Sequence, residues 1–247
     1  MTGVQVLQRW RDVRGDESGV ALVITLMALS LLLALGVALA MTTNTETRIA
    51  ANYRDGVEAL YAADAGVERA IQDLATASDW DSVLNGTVRS SFNDGPPQGL
   101  RILPGGATLD LTQATNVARC GKDTCSAADL TAVTDDRPWG ANNPVWQPFA
   151  YGPLAALDGT IDSPMYVMVW IADDPSENDN APLRDGAPPA DCNTEEDSSC
   201  VDDNVGRGVL AMRAQAVGPR GTQRAIDVTL ARANESGVRI VSWREIR

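Results

Sequence analysis

Residues 20–41 form an uninterrupted run of uncharged, mostly apolar residues close to the N-terminus. At about 1.5 Å per residue, a helix over this run is roughly 33 Å long, enough to cross a hydrocarbon core about 30 Å thick once. A helix that is apolar on every side does not suit the surface of a soluble domain. We therefore expect a membrane-spanning helix here, followed by one polar domain on one side of the membrane.

The arginines around this run predict its orientation. Three of them precede it (Arg9, Arg11 and Arg14), and the next basic residue is Arg48. Because positively charged flanks stay in the cytoplasm, we expect the N-terminus there and the rest of the chain across the membrane. A cleaved secretory signal is the alternative, but its apolar region is normally only about 7–15 residues long. We therefore expect the segment to be retained as a single-pass anchor.

The charge balance restricts what the exported part can bind. The net charge is −13, and the charges of residues 1–19 cancel, so the acidic excess lies beyond them. An acidic surface repels phosphate backbones, which argues against nucleic-acid binding.

The residue types that enzymes use most often are scarce. Histidine is absent and Lys122 is the only lysine. The sequence also lacks a Gly-x-Ser-x-Gly motif and a phosphate-binding glycine loop, so nothing pairs a nucleophile with a base. Aspartate and glutamate are abundant enough for a glycosidase, but no two of them are singled out. We expect no catalytic residues and no enzymatic activity.

The four cysteines form two local pairs, Cys120/Cys125 and Cys192/Cys200. In an oxidising compartment such pairs indicate two disulfides, and short loops are the easiest to close. A zinc site of four thiolates normally has two-residue gaps, whereas these gaps are of four and seven residues. We expect the two local disulfides rather than a metal site or free thiols, although three pairings remain formally open.

Apolar residues continue at three- and four-residue steps after the membrane run, which predicts an amphipathic helix. Many alanines in this stretch add helix propensity. We expect one continuous helix from residue 20 to about residue 76, in which Gly36, Gly56 and Gly66 could permit bends. The apolar stripe consists of Ile49, Tyr53, Gly56, Val57, Leu60, Ala63, Val67, Ile71 and Leu74.

From Trp80 onward, Gly, Pro, Asn and Asp separate short apolar runs, a pattern typical of strands and turns. Residues 218–221 separate two runs in which apolar and polar residues alternate, and this pattern predicts a β-hairpin. We expect an α+β fold in which the long N-terminal helix packs on an antiparallel β-sheet, because both elements then bury their apolar faces. Strands are predicted at residues 101–103, 108–112, 166–172, 208–217, 222–231 and 238–243.

Residues 173–207 form a long acidic segment between two predicted strands. A loop of this length is unusual in a compact domain and is either functional or mobile. The carboxylates of Asp173, Asp174, Glu177 and Asp179 are candidate calcium ligands, although an EF-hand spacing is absent. Because solvated acidic loops are far more common, we expect no cofactor, with calcium as the alternative.

Three segments of the first third carry a family resemblance: residues 18–23 (SGVALV), 46–52 (ETRIAAN) and 58–66 (EALYAADAG). They resemble the N-terminal region of PilX-type minor pilins, which belong to the type IV pilus and type II secretion class of filament proteins. The resemblance covers about residues 14–75 and implies a type IV pilin-like fold.

The resemblance implies that a prepilin peptidase cuts between Gly19 and Val20. Gly15 is the competing position, but cutting there would leave Asp16 and Glu17 at the head of a membrane helix. The implied organisation is a prepilin-type leader (1–19), a transmembrane half-helix (20–41), an amphipathic half-helix (42–77) and an extracytoplasmic β-rich domain (78–247) that contains the acidic loop 173–207.

A further implication concerns the fifth position of the mature chain. Major pilins carry a glutamate there, which pairs with the amino terminus of a neighbouring subunit. Counting from Val20, this position is Ile24. A buried carboxylate is tolerated only when it is paired, so a subunit without the pairing role is better served by an apolar residue. In a PilX-type protein, Ile24 therefore implies a tip or initiating position in the filament.

The resemblance implies a minor pilin that primes assembly of a type IV pilus and sits at or near its tip, in a system that serves adhesion and motility. Its partners would be other minor pilins, the major pilin, the prepilin peptidase, the inner-membrane assembly platform and, where the filament carries one, a tip adhesin. The protein would be anchored in the inner membrane with its C-terminal domain in the periplasm, and would then enter the pilus. The alternatives are a minor pseudopilin of type II secretion and an anchored binding or sensor domain that never joins a filament.

Overall fold

The computed structural model describes residues 17–104, 106–177, 179–186, 208–233 and 237–246. The chain forms two units, Met1–Tyr53 and Arg54–Arg247.

Helix α1 runs from Glu17 to Thr76 and confirms the predicted continuous helix. Within its apolar part, the hydroxyls of Thr25 and Ser30 donate to the backbone carbonyls of Leu22 and Leu26, at 2.8 Å each. These bonds satisfy polar groups that would otherwise be expensive in a hydrocarbon environment. By length and composition, the helix is long and apolar enough to cross a membrane.

The described strands of the second unit are β1 (Leu100–Ile102), β2 (Thr108–Asp110), β3 (Gln147–Pro153), β4 (Tyr166–Asp173), β5 (Val209–Val217), β6 (Gln223–Ala233) and β7 (Gly237–Ile246). The unit is built around a five-stranded antiparallel sheet in the order β3-β4-β5-β6-β7. A separate hairpin pairs β1 with β2. The helices after α1 are α2 (Asp81–Leu84), α3 (Leu111–Cys120) and α4 (Ala127–Leu130). This α+β architecture confirms the predicted fold class.

One face of the sheet packs on the second half of α1. Most of the buried residues on this side of the helix are alanine or glycine, so the helix and the sheet approach closely. The buried apolar and glycine residues are Gly56, Ala59, Ala62, Ala63, Gly66, Val67, Ala70 and Leu74. The predicted stripe is therefore partly wrong: Leu60 and Ile71 are half-buried at its borders, and Ile49 and Tyr53 are 63% and 76% exposed. The predicted stripe is too wide because it follows the spacing of large apolar residues, whereas alanine and glycine residues make much of the contact between α1 and the sheet.

The other face of the sheet is covered by α3 and by neighbouring loops. Strand β4 is buried on both faces, and the indole Nε1 of Trp170 donates to the hydroxyl of Thr115 on α3 at 3.0 Å. Helix α3 was not predicted, and the strand predicted at residues 108–112 ends at Asp110 instead. The reason is local, since the Asp110 carboxylate accepts hydrogen bonds from the N–H groups of Thr112 and Gln113 and so caps the helix.

The C-terminal strands follow the predicted pattern with small shifts at their ends. The hairpin between β5 and β6 turns at residues 218–221, and β7 contains the predicted last strand. Of the acidic segment, residues 173–177 and 179–186 are described, while residue 178 and residues 187–207 lie outside the described ranges.

Candidate functional site

The residues predicted for processing lie in the first turns of α1. Val20 and Ile24 are 60% and 61% exposed. Apart from its chain neighbours and the backbone of its own helix, no heavy atom of the described residues lies within 4 Å of the position that a Cβ on Gly19 would take. The surrounding helix surface is apolar on all sides, which suits lipid or a neighbouring apolar helix. Cleavage between Gly19 and Val20 stays a prediction.

Gly66 sets how closely α1 approaches β4. A Cβ at this position would lie 2.5 Å from Cγ1 of Val167 and 3.2 Å from Cγ2 of Val169. Both neighbours are buried β-branched residues of β4, which have little freedom to move aside. Gly66 is therefore the contact point between helix and sheet rather than the site of a bend.

The turn between β5 and β6 fastens the start of the amphipathic half of α1. Asp55 is a buried carboxylate, 4% exposed, and it accepts a hydrogen bond from Nη2 of Arg220. Arg54 is 3.7 Å away on the other oxygen. Arg220 adopts a left-handed conformation with φ of 58°, which directs its side chain from the turn to the helix.

Carboxylates converge at the end of β4. One oxygen from each of Asp173, Glu177 and Asp185 lies within 4.8 Å of the others, and we call these three residues the carboxylate cluster. Asp173 is the last residue of β4 and Glu177 follows in the next turn, and they are only 3% and 2% exposed. Asp179, which is 8% exposed, lies in the same segment.

Hydrogen bonds connect the carboxylate cluster to three other parts of the domain, which are α2, Gly208 and Asn142. The backbone N–H of Asp185 donates to Oδ1 of Asp81 on α2 at 2.7 Å, and Oδ1 of Asp185 accepts from the N–H of Gly208 at 2.6 Å. Asn142 donates from Nδ2 to the backbone carbonyl of Glu177. These bonds bring the end of the acidic segment back to the strand from which it starts.

The electrostatics of this region are unfavourable for three ionised carboxylates. Burial, followed by the charges of Glu177, Asp179 and Asp185, raises the pKa of Asp173 to about 9. Two unit charges 4.8 Å apart repel each other by roughly 3 kcal/mol at an effective dielectric constant of about 20. Oδ1 of Asp173 and Oδ2 of Asp179 are buried and accept no hydrogen bond from the described part of the chain.

The candidate calcium ligands predicted from the sequence are thus only partly brought together. Asp173 and Glu177 belong to the carboxylate cluster, and Asp179 lies beside it. Asp174 does not belong to it: its Oδ1 accepts from the N–H of Ser176 at 3.0 Å. Sequence spacing missed Asp185, because only the folding of the segment back onto Asp81 and Gly208 brings it close.

The disulfide between Cys120 and Cys125 closes the loop after α3. Gly121, with φ of 73°, ends the helix in the left-handed conformation, which turns the chain toward Cys125. Cys192 and Cys200 lie outside the described residues, and their pairing stays a prediction.

Comparison with known proteins places the N-terminal segment in a family. The PilX N-terminal family model matches residues 18–68, from just before the apolar run to the amphipathic half of α1. No curated protein and no solved structure gives a significant match to the chain. Residues 18–68 form a PilX N-terminal domain, which confirms the PilX-type pilin resemblance of the sequence.

Proposed function

We propose that this protein is a minor pilin of a type IV pilus assembly system, which primes filament assembly and sits at or near the filament tip. The observation that carries the proposal is the PilX N-terminal domain at residues 18–68. It coincides with a helix that is apolar in its first half and carries an antiparallel β-domain on its second half. A membrane-anchored subunit of this build supplies an apolar helix for the filament core and a folded domain for its surface.

The proposed position rests on Ile24. With cleavage after Gly19, this residue takes the place at which a repeating subunit would need a carboxylate to pair with its neighbour. Ile24 leaves this subunit without a pairing group, and its exposed side chain continues the apolar surface of the helix. A subunit that does not need this pairing fits the start of a filament better than its repeating body.

The proposed topology follows from charge and hydropathy. The arginines before the apolar run keep the N-terminus in the cytoplasm, and the acidic β-domain is exported to the periplasm. The proposed partners are the prepilin peptidase, the inner-membrane assembly platform, the major pilin and other minor pilins, with a tip adhesin where one is present. The PilX N-terminal domain favours a structural role over an enzymatic one.

Deletion of the gene and quantitative mass spectrometry of sheared filaments test the proposal together. We expect fewer filaments of normal length after deletion, and a protein that is present in sheared wild-type filaments at a small fraction of the major subunit. Abundance comparable to the major subunit would exclude the tip position. Absence from filaments, with no change in filament number after deletion, would favour an anchored binding or sensor domain.

The two filament systems are distinguished by the same deletion strain. Loss of surface pili with normal protein secretion supports the pilus, whereas loss of secretion with normal pili would assign the protein to a type II secretion system as a minor pseudopilin.

A further inference from the structure

We propose that the carboxylate cluster of Asp173, Glu177 and Asp185 is a calcium site that fastens the acidic segment to the end of β4. The proposal concerns the folded β-domain and is independent of the proposed role in a filament.

Two unpartnered oxygens point to a cation in this place. Oδ1 of Asp173 and Oδ2 of Asp179 are buried without a hydrogen-bond donor among the described residues, and both side chains are more than nine-tenths buried. A buried carboxylate oxygen is normally satisfied by a donor or a metal ion. Oδ1 of Asn142 is a third buried oxygen without a donor in the described ranges, and the same side chain binds the backbone of Glu177.

The ligand chemistry favours a hard cation. All the candidate ligand atoms are oxygens, the chain contains no histidine, and Cys120 and Cys125 are consumed by a disulfide. Carboxylate and amide oxygens are the ligands that calcium and magnesium prefer, whereas zinc and copper sites normally use nitrogen or sulfur.

The number of protein carboxylates favours calcium over magnesium. Magnesium usually keeps several waters and is bound by only one or two carboxylates, whereas calcium takes six to eight oxygens in a flexible geometry. Three carboxylates each place an oxygen within 4.8 Å of the others, which a calcium coordination sphere accommodates. Asp179 influences the charge state of Asp173, and Asn142 binds the backbone of Glu177, so both lie near the cluster. They are candidates for further oxygen ligands, and water completes the six to eight ligands that calcium takes.

The position of the site explains what a bound ion would do. Asp173 is fixed by its pairing with Leu210 in the sheet, while Glu177 and Asp185 belong to the segment that leaves it. Asp185 is in turn bonded to Asp81 and Gly208. An ion shared by the three carboxylates therefore ties both ends of the described acidic segment to the sheet and to α2.

Titration of the full-length protein in detergent with calcium chloride, after removal of metals with EDTA, tests this inference. We expect one calcium ion per chain by isothermal titration calorimetry, with a Kd between about 10⁻⁵ and 10⁻³ M. At a free calcium concentration of about 100 times Kd, the melting temperature should rise by roughly 5–10 °C. Magnesium chloride at the same concentration should give a much smaller rise.

Isosteric variants separate the cluster from the general acidity of the segment. Asp173→Asn and Asp185→Asn should each weaken calcium binding at least tenfold, while the matched control Asp174→Asn removes the same charge beside the cluster and should bind like wild type. In EDTA, Asp173→Asn should melt no lower than wild type, because the amide places no charge beside Glu177 and Asp185.

Three results of the calcium titrations would overturn the proposal. These are no saturable calcium binding by the wild type, equal binding by wild type and both cluster variants, and equal loss in Asp174→Asn, which would indicate diffuse attraction to an acidic surface. An equal response to magnesium would overturn the assignment to calcium. If Asp173→Asn fails to fold in EDTA, the residue is a structural acceptor, which also contradicts the proposal.

Discussion

The guanidinium of Arg220, at the tip of the β5–β6 hairpin, donates to the buried carboxylate of Asp55 on α1 across 165 residues of sequence. The side chain of Asp55 is 6% exposed and that of Arg220 is 57% exposed, so one partner is buried and the other reaches in from solvent. The β5–β6 hairpin is thus fastened to the helix by a charged contact as well as by apolar packing.

Removal of this contact should lower the stability of the second unit. In Arg220→Ala, Asp55 stays buried, and its remaining ion-pair partner among the described residues is Arg54 at 3.7 Å. Because Arg220 is half exposed, we expect a loss of about 1–2 kcal/mol in the free energy of unfolding, less than for a fully buried pair. Denaturant unfolding followed by tryptophan fluorescence measures this loss.

The control is Arg184→Ala. Arg184 lies 3.9 Å from Asp81 with both side chains substantially exposed, so we expect the free energy of unfolding to change by less than about 0.5 kcal/mol. Equal effects of the two variants would contradict a specific role for Arg220.

A methyl group at Gly66 should separate the helix from the sheet. Alanine is intrinsically better than glycine in a helix by about 1 kcal/mol, but a Cβ here meets Val167 at 2.5 Å. We expect Gly66→Ala to lower the free energy of unfolding by about 1–3 kcal/mol, and Val167→Ala in the same chain to restore part of the loss. Gly56→Ala is the matched control, since its Cβ meets only the flexible end of Arg224 at 3.2 Å. Stabilisation by Gly66→Ala would show that the helix can shift without penalty.

Charge placed on the buried stripe of α1 should cost more than charge at its border. Leu74 is 1% exposed and packs in the core, whereas Leu60 is half-buried. We expect Leu74→Asp to lower the free energy of unfolding by at least about 3 kcal/mol and Leu60→Asp by about 1–2 kcal/mol, because an unpaired buried carboxylate is poorly solvated. Tyr61→Asp, at a position 70% exposed, is the control and should change little. The reverse order of Leu74 and Leu60 would mean that the wider stripe predicted from the sequence is the one that faces the sheet.

The cysteines should be oxidised in local pairs. Cys120–Cys125 closes a loop so short that the chain-entropy model assigns it about 2 kcal/mol of stabilisation. We expect non-reducing peptide mapping of the full-length protein to recover this pair together with Cys192–Cys200. A crosslink such as Cys120–Cys200 would refute the argument from loop length.

The sequence predicts elements well where a single physical signal dominates. Length and hydropathy predict α1, the continuous apolar run predicts β4, and the turn at residues 218–221 predicts the β5–β6 hairpin. Strand β3 was missed because Pro148 and Pro153 interrupt its pattern. Both prolines are tolerated there because β3 is an edge strand, whose outer side needs no ladder hydrogen bonds.

The candidate site was harder to predict than the fold. Asp173, Glu177 and Asp179 lie close together in the sequence, so their grouping can be predicted from that spacing alone. Asp185 joins them only because its backbone binds Asp81 and its side chain binds the backbone of Gly208, which are long-range contacts without a local pattern. Helix α3 was missed for a related reason. Its threonines and asparagine are weak helix formers, so the residues alone do not predict a helix. The helix forms because Asp110 caps it and because Leu111 and Thr115 are buried.

The mature N-terminus of the protein, extracted from membranes of cells that contain the prepilin peptidase, tests the central claim most directly. N-terminal sequencing or mass spectrometry of the first peptide should show a chain that begins at Val20, with Ile24 as its fifth residue. A chain that still begins at Met1 in those cells would contradict the minor pilin account and would favour a permanently anchored domain.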